Sequence, residues 1–171
     1  MTGPIVFEAL QPTHDRESFH SGNEALDAWF RTRAGQDQRR RVAQVFVAVE
    51  ARRVIGFYSL SMFTLSLEAL PPALGKKLPR YEAIPAAIIG RLARSLDARG
   101  TGVGDLLLAD AVKRVVAASS AVAAWAIVVD AKDGRGARFY EAHGFIALPS
   151  RPLRLFLPMQ TAIDAVAASR R

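Results

Sequence analysis

The sequence contains no cysteine and only three histidines among its 171 residues. The lack of cysteine excludes disulfides, iron–sulfur clusters, thiolate zinc sites and a cysteine nucleophile, and with so few histidines we expect no metal site. The most apolar run, Val115 to Val129, is interrupted by two serines and falls short of the roughly 20 residues that span a bilayer. The N-terminal segment MTGPIVFEAL lacks the basic start and apolar stretch of a signal peptide. We therefore expect a cytoplasmic protein without a membrane segment.

The chain is rich in apolar residues and in positive charge. Half of the residues are hydrophobic and 23% are charged, which is typical of a globular chain. The length predicts a single domain spanning residues 1–171. Lys and Arg number 23 against 16 Asp and Glu, so the formal net charge is +7. This excess favours a phosphate-bearing partner, although the position of the charge matters more than its sum.

The hydrophobic pattern predicts a mixed α/β sheet covered by helices. Predicted strands cover residues 4–10, 42–50, 54–67, 86–96, 123–129, 144–147 and 153–159, the second and third forming an antiparallel hairpin. Predicted helices lie near residues 24–35, from the turn at Gly104 to about Ser119, at 134–142, and after Met159. Four prolines between Pro71 and Pro85 predict a surface loop with no regular element.

A glycine-rich turn, Arg99–Gly104 (RGTGVG), separates a predicted strand from a predicted helix. Backbone N–H groups at such a helix start can bind phosphate, and Gly102 and Gly104 would permit close approach of the anion or a positive φ. The turn is not a dinucleotide fingerprint, since the G-x-x-G spacing and a ribose-binding acid are missing, nor a Walker loop, which ends in Gly-Lys-Ser/Thr. Either the turn is purely structural or it binds a different phosphate-bearing cofactor.

The pattern Arg99-x-x-Gly102-x-Gly104, followed about 35 residues later by Phe139–Phe145 (FYEAHGF), resembles the Gcn5-related N-acetyltransferase (GNAT) superfamily. The resemblance implies an α/β GNAT fold whose mixed, mostly antiparallel central sheet splays around the cofactor acetyl-CoA. By the same resemblance, the pyrophosphate binds to Arg99, Gly100, Thr101, Gly102, Val103 and Gly104, the acetyl and pantetheine arm lies beside Leu92, Ala93 and Arg94, and the thiol lies near Phe139 and Tyr140.

The segment Phe19–Phe30 (FHSGNEALDAWF) resembles the F-x-C/S-G-x-x-x-L-D-x-W-L opening of the toxin-type acetyltransferases. Ile55–Ser61 and Gly90–Ala93 also fit that group, so the resemblance covers nearly the whole chain. It implies acetylation of the α-amino group of aminoacyl-tRNA, a cognate antitoxin of ribbon-helix-helix type, and a homodimer. Departures at Val42–Ala43 and Arg94–Leu96 concern the substrate preference.

Amine acetylation requires a polarised thioester carbonyl, a neutral amine and a proton for the departing thiolate. The hydroxyl of Tyr140 can supply that proton, and the alternative is that Tyr140 is only a core aromatic. No general base stands out, because His143 is predicted to be a surface residue and Asp130 to cap the next turn. Without a cysteine or an activated serine, we expect direct attack by the amine rather than a covalent acetyl-enzyme.

Several basic clusters are candidates for contacts with tRNA phosphates. They are Arg39, Arg40 and Arg41 before the second strand, Arg52 and Arg53 at the hairpin tip, and Lys76, Lys77 and Arg80 in the proline-rich loop. Arg91 ranks above them, because an arginine within a strand is costly unless it is paired or touches phosphate. Ordinary solvated charge is the alternative for each. Two other functions stay open: acetylation of a small amine or a protein N-terminus, and a non-catalytic module acting through an antitoxin.

Overall fold

In a computed structural model, which describes residues 3–80 and 83–170, the chain forms a mixed sheet with helices in its connections. The strands are β1 (Ile5–Ala9), β2 (Gln44–Glu50), β3 (Arg53–Ser66), β4 (Ala83–Arg94), β5 (Ala126–Asp130), β6 (Ile146–Leu148) and β7 (Arg151–Pro158). The α-helices are α1 (Glu24–Thr32), α2 (Ala34–Arg39), α3 (Pro72–Gly75), α4 (Val103–Ala118), α5 (Gly134–Ala142) and α6 (Met159–Ala168). Short 3₁₀ turns occupy Leu67–Ala69 and Leu96–Ala98.

The strand order in the sheet is β1-β2-β3-β4-β5-β7-β6. β4 and β5 run parallel, with Ala86–Ile89 opposite Ala126–Val129, and are joined through α4. The β1–β2, β2–β3, β5–β7 and β6–β7 pairs are antiparallel. The predicted α/β class and mostly antiparallel sheet are thus confirmed. None of the described helices is long and apolar enough to cross a membrane.

The described residues up to Ser61, together with Gly90–Ala111, form one compact unit with an aromatic core. The rings of Phe30 and Phe57 stack in parallel with centroids 4.2 Å apart, and Phe19 meets both rings edge to face. Phe30 comes from the apolar face of α1, which is predicted by the i, i+3, i+4 spacing of Leu26, Trp29 and Phe30. Such stacked and T-shaped pairs add stability beyond the apolar area that they bury.

The entry into α1 explains much of the F-x-S-G-x-x-x-L-D-x-W pattern. The Asp27 carboxylate, only 3% exposed, accepts hydrogen bonds from the backbone N–H and the hydroxyl of Ser21. Gly22 takes a φ of +91°, a conformation that favours glycine, and the Asn23 side chain accepts the Leu26 N–H as the N-cap. These contacts give the motif residues a structural role that is independent of any ligand.

Met62–Ile89 and the described residues from Val112 onward form a second compact unit. Its core contains Leu65, Val128 and Phe156, and the ring of Trp125 stacks on Phe156 at 5.8 Å. α5 begins where predicted, and the Asp133 side chain caps it by accepting the Gly136 N–H at 2.8 Å.

Two boundary predictions are wrong, each for a local reason. The predicted helix 24–35 is two helices, because Arg33 takes a non-helical φ of −122° between α1 and α2. The proline-dense segment contains the short helix α3, since Pro72 occupies its first turn, where a missing N–H costs nothing. β4 also begins at Ala83 and so includes Pro85. The remaining strand ends shift by up to three residues from the predicted ends.

Gly56 on β3 is required by packing. A Cβ at this position would lie 2.6 Å from Leu107 Cδ1 on α4 and 3.1 Å from the Ala93 carbonyl oxygen. We expect Gly56→Ala to lower the free energy of unfolding by about 1–3 kcal/mol, the usual cost of overpacking. Urea denaturation measures this loss. Gly134→Ala is the control, since its Cβ would meet only Arg138 at 3.5 Å, and an equal loss in both variants would contradict the packing argument.

Candidate active site

The loop between β4 and α4 has the backbone that an anion-binding turn needs. Gly100 and Gly102 adopt φ values of +77° and +85°, and no heavy atom lies within 4 Å of a Cβ placed at either position. The Leu106 N–H bonds to the Gly102 carbonyl, and the N–H groups of Val103 and Gly104 lie in the first turn of α4, where the helix offers no backbone acceptor. The loop therefore fits a pyrophosphate.

The other residues of the loop stabilise this turn or lie at its surface. The backbone N–H and the hydroxyl of Thr101 both bond to the Ala98 carbonyl oxygen, and the Val103 side chain is buried. Arg99 is exposed at the end of the 3₁₀ turn. Gly104 lies inside α4 and not in the left-handed region, so of the two glycines singled out in the sequence only Gly102 needs a positive φ.

Leu92, Ala93 and Arg94 are the last three residues of β4. The Ala93 side chain packs in the aromatic core, so only its backbone is available to a ligand. Leu92 and Arg94 are half-buried. After Arg94, the Ser95 N–H still bonds to the Ile55 carbonyl on β3, and the Ser95 hydroxyl accepts the Asp97 N–H, which caps the 3₁₀ turn Leu96–Ala98.

Tyr140 lies on α5 in the second unit and is 8% exposed. Its ring meets Phe139 and Phe145 edge to face, with centroids 5.2 and 5.6 Å away. Burial, assisted by the negative charge of Asp130, raises the pKa of the Tyr140 hydroxyl to about 12. The phenol therefore stays protonated far above neutral pH.

Asp130 does not cap the turn that follows β5, so that prediction is wrong. Its carboxylate accepts two hydrogen bonds from the Arg154 guanidinium, at 2.7 and 2.9 Å, because the two residues face each other across β5 and β7. The cap of α5 is Asp133. Arg154, which the sequence reasoning missed, also lies 4.8 Å above the Phe63 ring. His143 ends α5 on the surface as predicted, with its ring 5.1 Å from Phe139.

The structure divides the predicted RNA-binding residues into exposed and structurally engaged groups. Within the first unit, Arg39, Arg40 and Arg41 are exposed at the end of α2, and Arg52 is exposed in the hairpin turn. Within the second unit, Lys76, Lys77 and Arg80 are exposed after α3. Arg53 forms a 2.7 Å ion pair with Asp97, so its charge is already partly compensated.

Arg91 is half-buried on β4, and the tip of its side chain lies 4.2 Å from the centroid of the Trp29 ring. Trp29 in turn donates its indole N–H to Asp37 at 3.0 Å. The contact of Arg91 with Trp29 was not predicted, since 62 positions separate the two residues and only the fold brings α1 and β4 together. The one signal in the sequence that singled out Arg91 was the free-energy cost of placing an arginine within a strand.

Comparison with known proteins places these features in a family. Residues 41–147 match the acetyltransferase (GNAT) domain. The chain is 31% identical over 162 residues to a tRNA-acetylating toxin of Mycobacterium tuberculosis, covering 95% of this chain and 96% of that protein.

Two solved structures extend the comparison. AtaT complexed with acetyl-methionyl-tRNAfMet has a TM-score of 0.88 and 29% identity, covering 96% of this chain and 99% of that one. AtaTR bound with acetyl-CoA has a TM-score of 0.82 and 28% identity, covering 94% and 97%. The matched domain spans the glycine-rich loop, Arg91 and Tyr140 alike. The chain belongs to the GNAT acetyltransferase family.

Proposed function

We propose that this protein is the toxin of a toxin–antitoxin pair, which transfers an acetyl group from acetyl-CoA to the α-amino group of aminoacyl-tRNA and so stops translation. The observation that carries the proposal is similarity to a tRNA-acetylating toxin along 95% of the chain. The open glycine loop supports the acetyl-CoA part, and the exposed arginines and lysines support the RNA part. The proposal implies a single domain acting in the cytoplasm, where charged tRNA is used.

In this proposal, the loop Arg99–Gly104 holds the pyrophosphate of acetyl-CoA. The N–H groups at the start of α4 donate to the phosphate oxygens, and the partial positive charge of that helix end favours the anion. Bound there, acetyl-CoA supplies an activated acetyl group as a thioester. The backbone at Leu92, Ala93 and Arg94 orients the pantetheine arm, and a backbone N–H of this strand polarises the thioester carbonyl.

Tyr140 is the proposed general acid. With acetyl-CoA bound, the α-amine would form its bond to the acetyl carbon as the C–S bond breaks, and the Tyr140 hydroxyl would give its proton to the departing thiolate. The proton lost by the acylated nitrogen would return the tyrosinate to its neutral form. Phe139 packs against Tyr140 and lines the thiol end of the site. The α-amine of an aminoacyl ester is largely neutral near pH 7, so no strong base is required, and the absence of cysteine fits direct attack.

The proposed RNA contacts are made by Arg39, Arg40, Arg41, Lys76, Lys77, Arg80 and Arg91. Phosphate contacts of this kind position an RNA without reading its sequence. We further propose a homodimer and neutralisation by a ribbon-helix-helix antitoxin that carries an acidic segment, for which a chain with a net charge of +7 offers complementary charge.

The test is mass spectrometry of bulk aminoacyl-tRNA after incubation with the purified protein and acetyl-CoA. We expect the mass increment of one acetyl group on particular aminoacyl-adenosine fragments, which also identifies the preferred amino acid. A variant in which alanine replaces Arg39, Arg40 and Arg41 together should acetylate aminoacyl-tRNA more slowly. No increment with the wild-type protein, while acetyl-CoA still binds, would refute the tRNA substrate and point to a small amine or a protein N-terminus.

A further inference from the structure

The guanidinium of Arg91 is partly buried against the protein. Within residues 3–80 and 83–170 it makes no hydrogen bond and no ion pair, and its one close partner is the Trp29 ring. Burial lowers the pKa of Arg91, while the charge of Asp37 partly offsets the effect. Partial burial removes some of the water around the guanidinium, and an anion bound to its N–H groups would replace that water. The arrangement is therefore suited to receiving an anion.

The geometry of the stack determines which donors are free. An arginine that stacks on an aromatic ring uses the face of its guanidinium, so the N–H groups in the plane remain available at its edge. That edge matches two oxygens of one phosphate, in a bidentate contact. Stacking thus fixes the orientation of the group without consuming its hydrogen-bonding capacity.

Neighbouring residues hold both the backbone of Arg91 and the ring of Trp29. The Arg91 backbone N–H bonds to the hydroxyl of Ser59, a residue only 1% exposed on the neighbouring part of β3. The Trp29 ring is 6% exposed, lies 5.8 Å from the Phe57 ring, and is anchored through its indole N–H to Asp37. The guanidinium therefore stacks on the ring of a residue that is part of the hydrophobic core.

We propose that Trp29 is a positioning residue that presents the in-plane N–H groups of Arg91 to one backbone phosphate of the tRNA. The inference rests on the proposed function for its choice of anion and adds to it a defined two-residue stack. Trp29 touches the arginine and not the RNA. The other basic residues supply charge that is not oriented in this way.

The experiment measures the dissociation constant for deacylated bulk tRNA by filter binding over a series of salt concentrations, with no acetyl-CoA present. Arg91→Gln should weaken binding and reduce the slope of log affinity against log salt by about one. Arg91→Lys should show most of the loss of affinity expected for Arg91→Gln, because an ammonium group cannot both stack on the ring and donate two parallel N–H bonds. Trp29→Phe should weaken binding about fivefold by removing the indole.

A double-mutant comparison distinguishes positioning from mere stability. If Trp29 acts through Arg91, Trp29→Phe will have no further effect in the Arg91→Gln background. Trp125→Phe, a matched change in the second unit, should leave binding unchanged. Full affinity in Arg91→Lys, or equal effects of Trp29→Phe in both backgrounds, would overturn the proposal.

Binding and turnover separate this inference from the proposed function. A wild-type protein that binds tRNA with these dependences but acetylates no aminoacyl-tRNA would refute the function and leave the stack established. A protein that acetylates aminoacyl-tRNA normally while Arg91→Gln keeps its affinity and salt slope would refute the stack alone.

Discussion

Tyr140→Phe should lower kcat for acetyl transfer by about 10²-fold or more, the usual effect of removing a positioned general acid. The substitution removes one hydroxyl and keeps the ring that packs on Phe139 and Phe145. Affinity for acetyl-CoA, measured by calorimetry, should therefore change little. The thermal unfolding midpoint should also be close to that of the wild-type protein.

Tyr58→Phe is the matched control for this prediction. Tyr58 is fully buried, and its hydroxyl donates a hydrogen bond to Asp110 on α4. This hydroxyl has no part in the proposed reaction. Its loss should lower the free energy of unfolding by about 1 kcal/mol and leave kcat unchanged. A Tyr140→Phe enzyme with wild-type kcat would eliminate the tyrosine as the proton donor.

The pH dependence follows from the raised pKa of Tyr140. An ordinary phenol ionises near pH 10, whereas this one remains protonated to about 12. Initial rates should therefore rise as the amine loses its proton and show no fall near pH ~10. Stability behaves differently from the rate: as the pH rises from ~10 toward ~12, this residue ionises only in the unfolded state, so the free energy of unfolding declines. A falling limb near pH ~10 that is absent in Tyr140→Phe would contradict the raised pKa of Tyr140, although it would support the tyrosine as the proton donor.

Gly102→Ala should weaken acetyl-CoA binding by about 10- to 100-fold, the effect of losing one or two charge-assisted hydrogen bonds. The φ of +85° disfavours any L side chain, and the new Cβ would project into space that no protein atom occupies within 4 Å. Both effects act on the loop that the pyrophosphate is proposed to use. The KM for acetyl-CoA and its dissociation constant by calorimetry are the measurements.

Gly22→Ala is the control for Gly102→Ala, because it introduces the same kind of backbone strain away from the proposed anion-binding loop. Gly22 has an equally left-handed φ of +91°, but its Cβ would meet only the flexible end of Leu96 at 3.0 Å. This variant should lose stability and keep the KM for acetyl-CoA. An unchanged KM in Gly102→Ala would show that the loop does not bind the cofactor.

Much of the fold was predictable because its signals are local. The hairpin of β2 and β3 follows from two runs of β-branched and aromatic residues, and α5 follows from apolar periodicity between turn residues. The errors also have local causes that propensity does not capture. Arg33 leaves the helical region, and Pro72 is accepted in the first turn of α3 because that position needs no N–H.

The candidate site was predictable where a short motif carries it. Arg99–Gly104 needs particular glycines at fixed spacing, and Tyr140 follows from its place in FYEAHGF. The charged neighbours of these residues were not predictable. Arg154 reaches Asp130 only because β5 and β7 pair in one register, and a shift by one residue would place the guanidinium on the opposite face.

The sequence by itself determined the family, the strand–turn–helix around the glycine loop, the excess of positive charge and the impossibility of cysteine chemistry, since each depends on residue type and spacing along the chain. Only the tertiary structure decided which charges are already engaged and which are free. Arg53 meets Asp97 and Arg154 meets Asp130, whereas Arg91 rests on Trp29 with its donors unused. The physical reason is that desolvation and pairing depend on neighbours distant in sequence, which only the packed fold brings within a few ångströms.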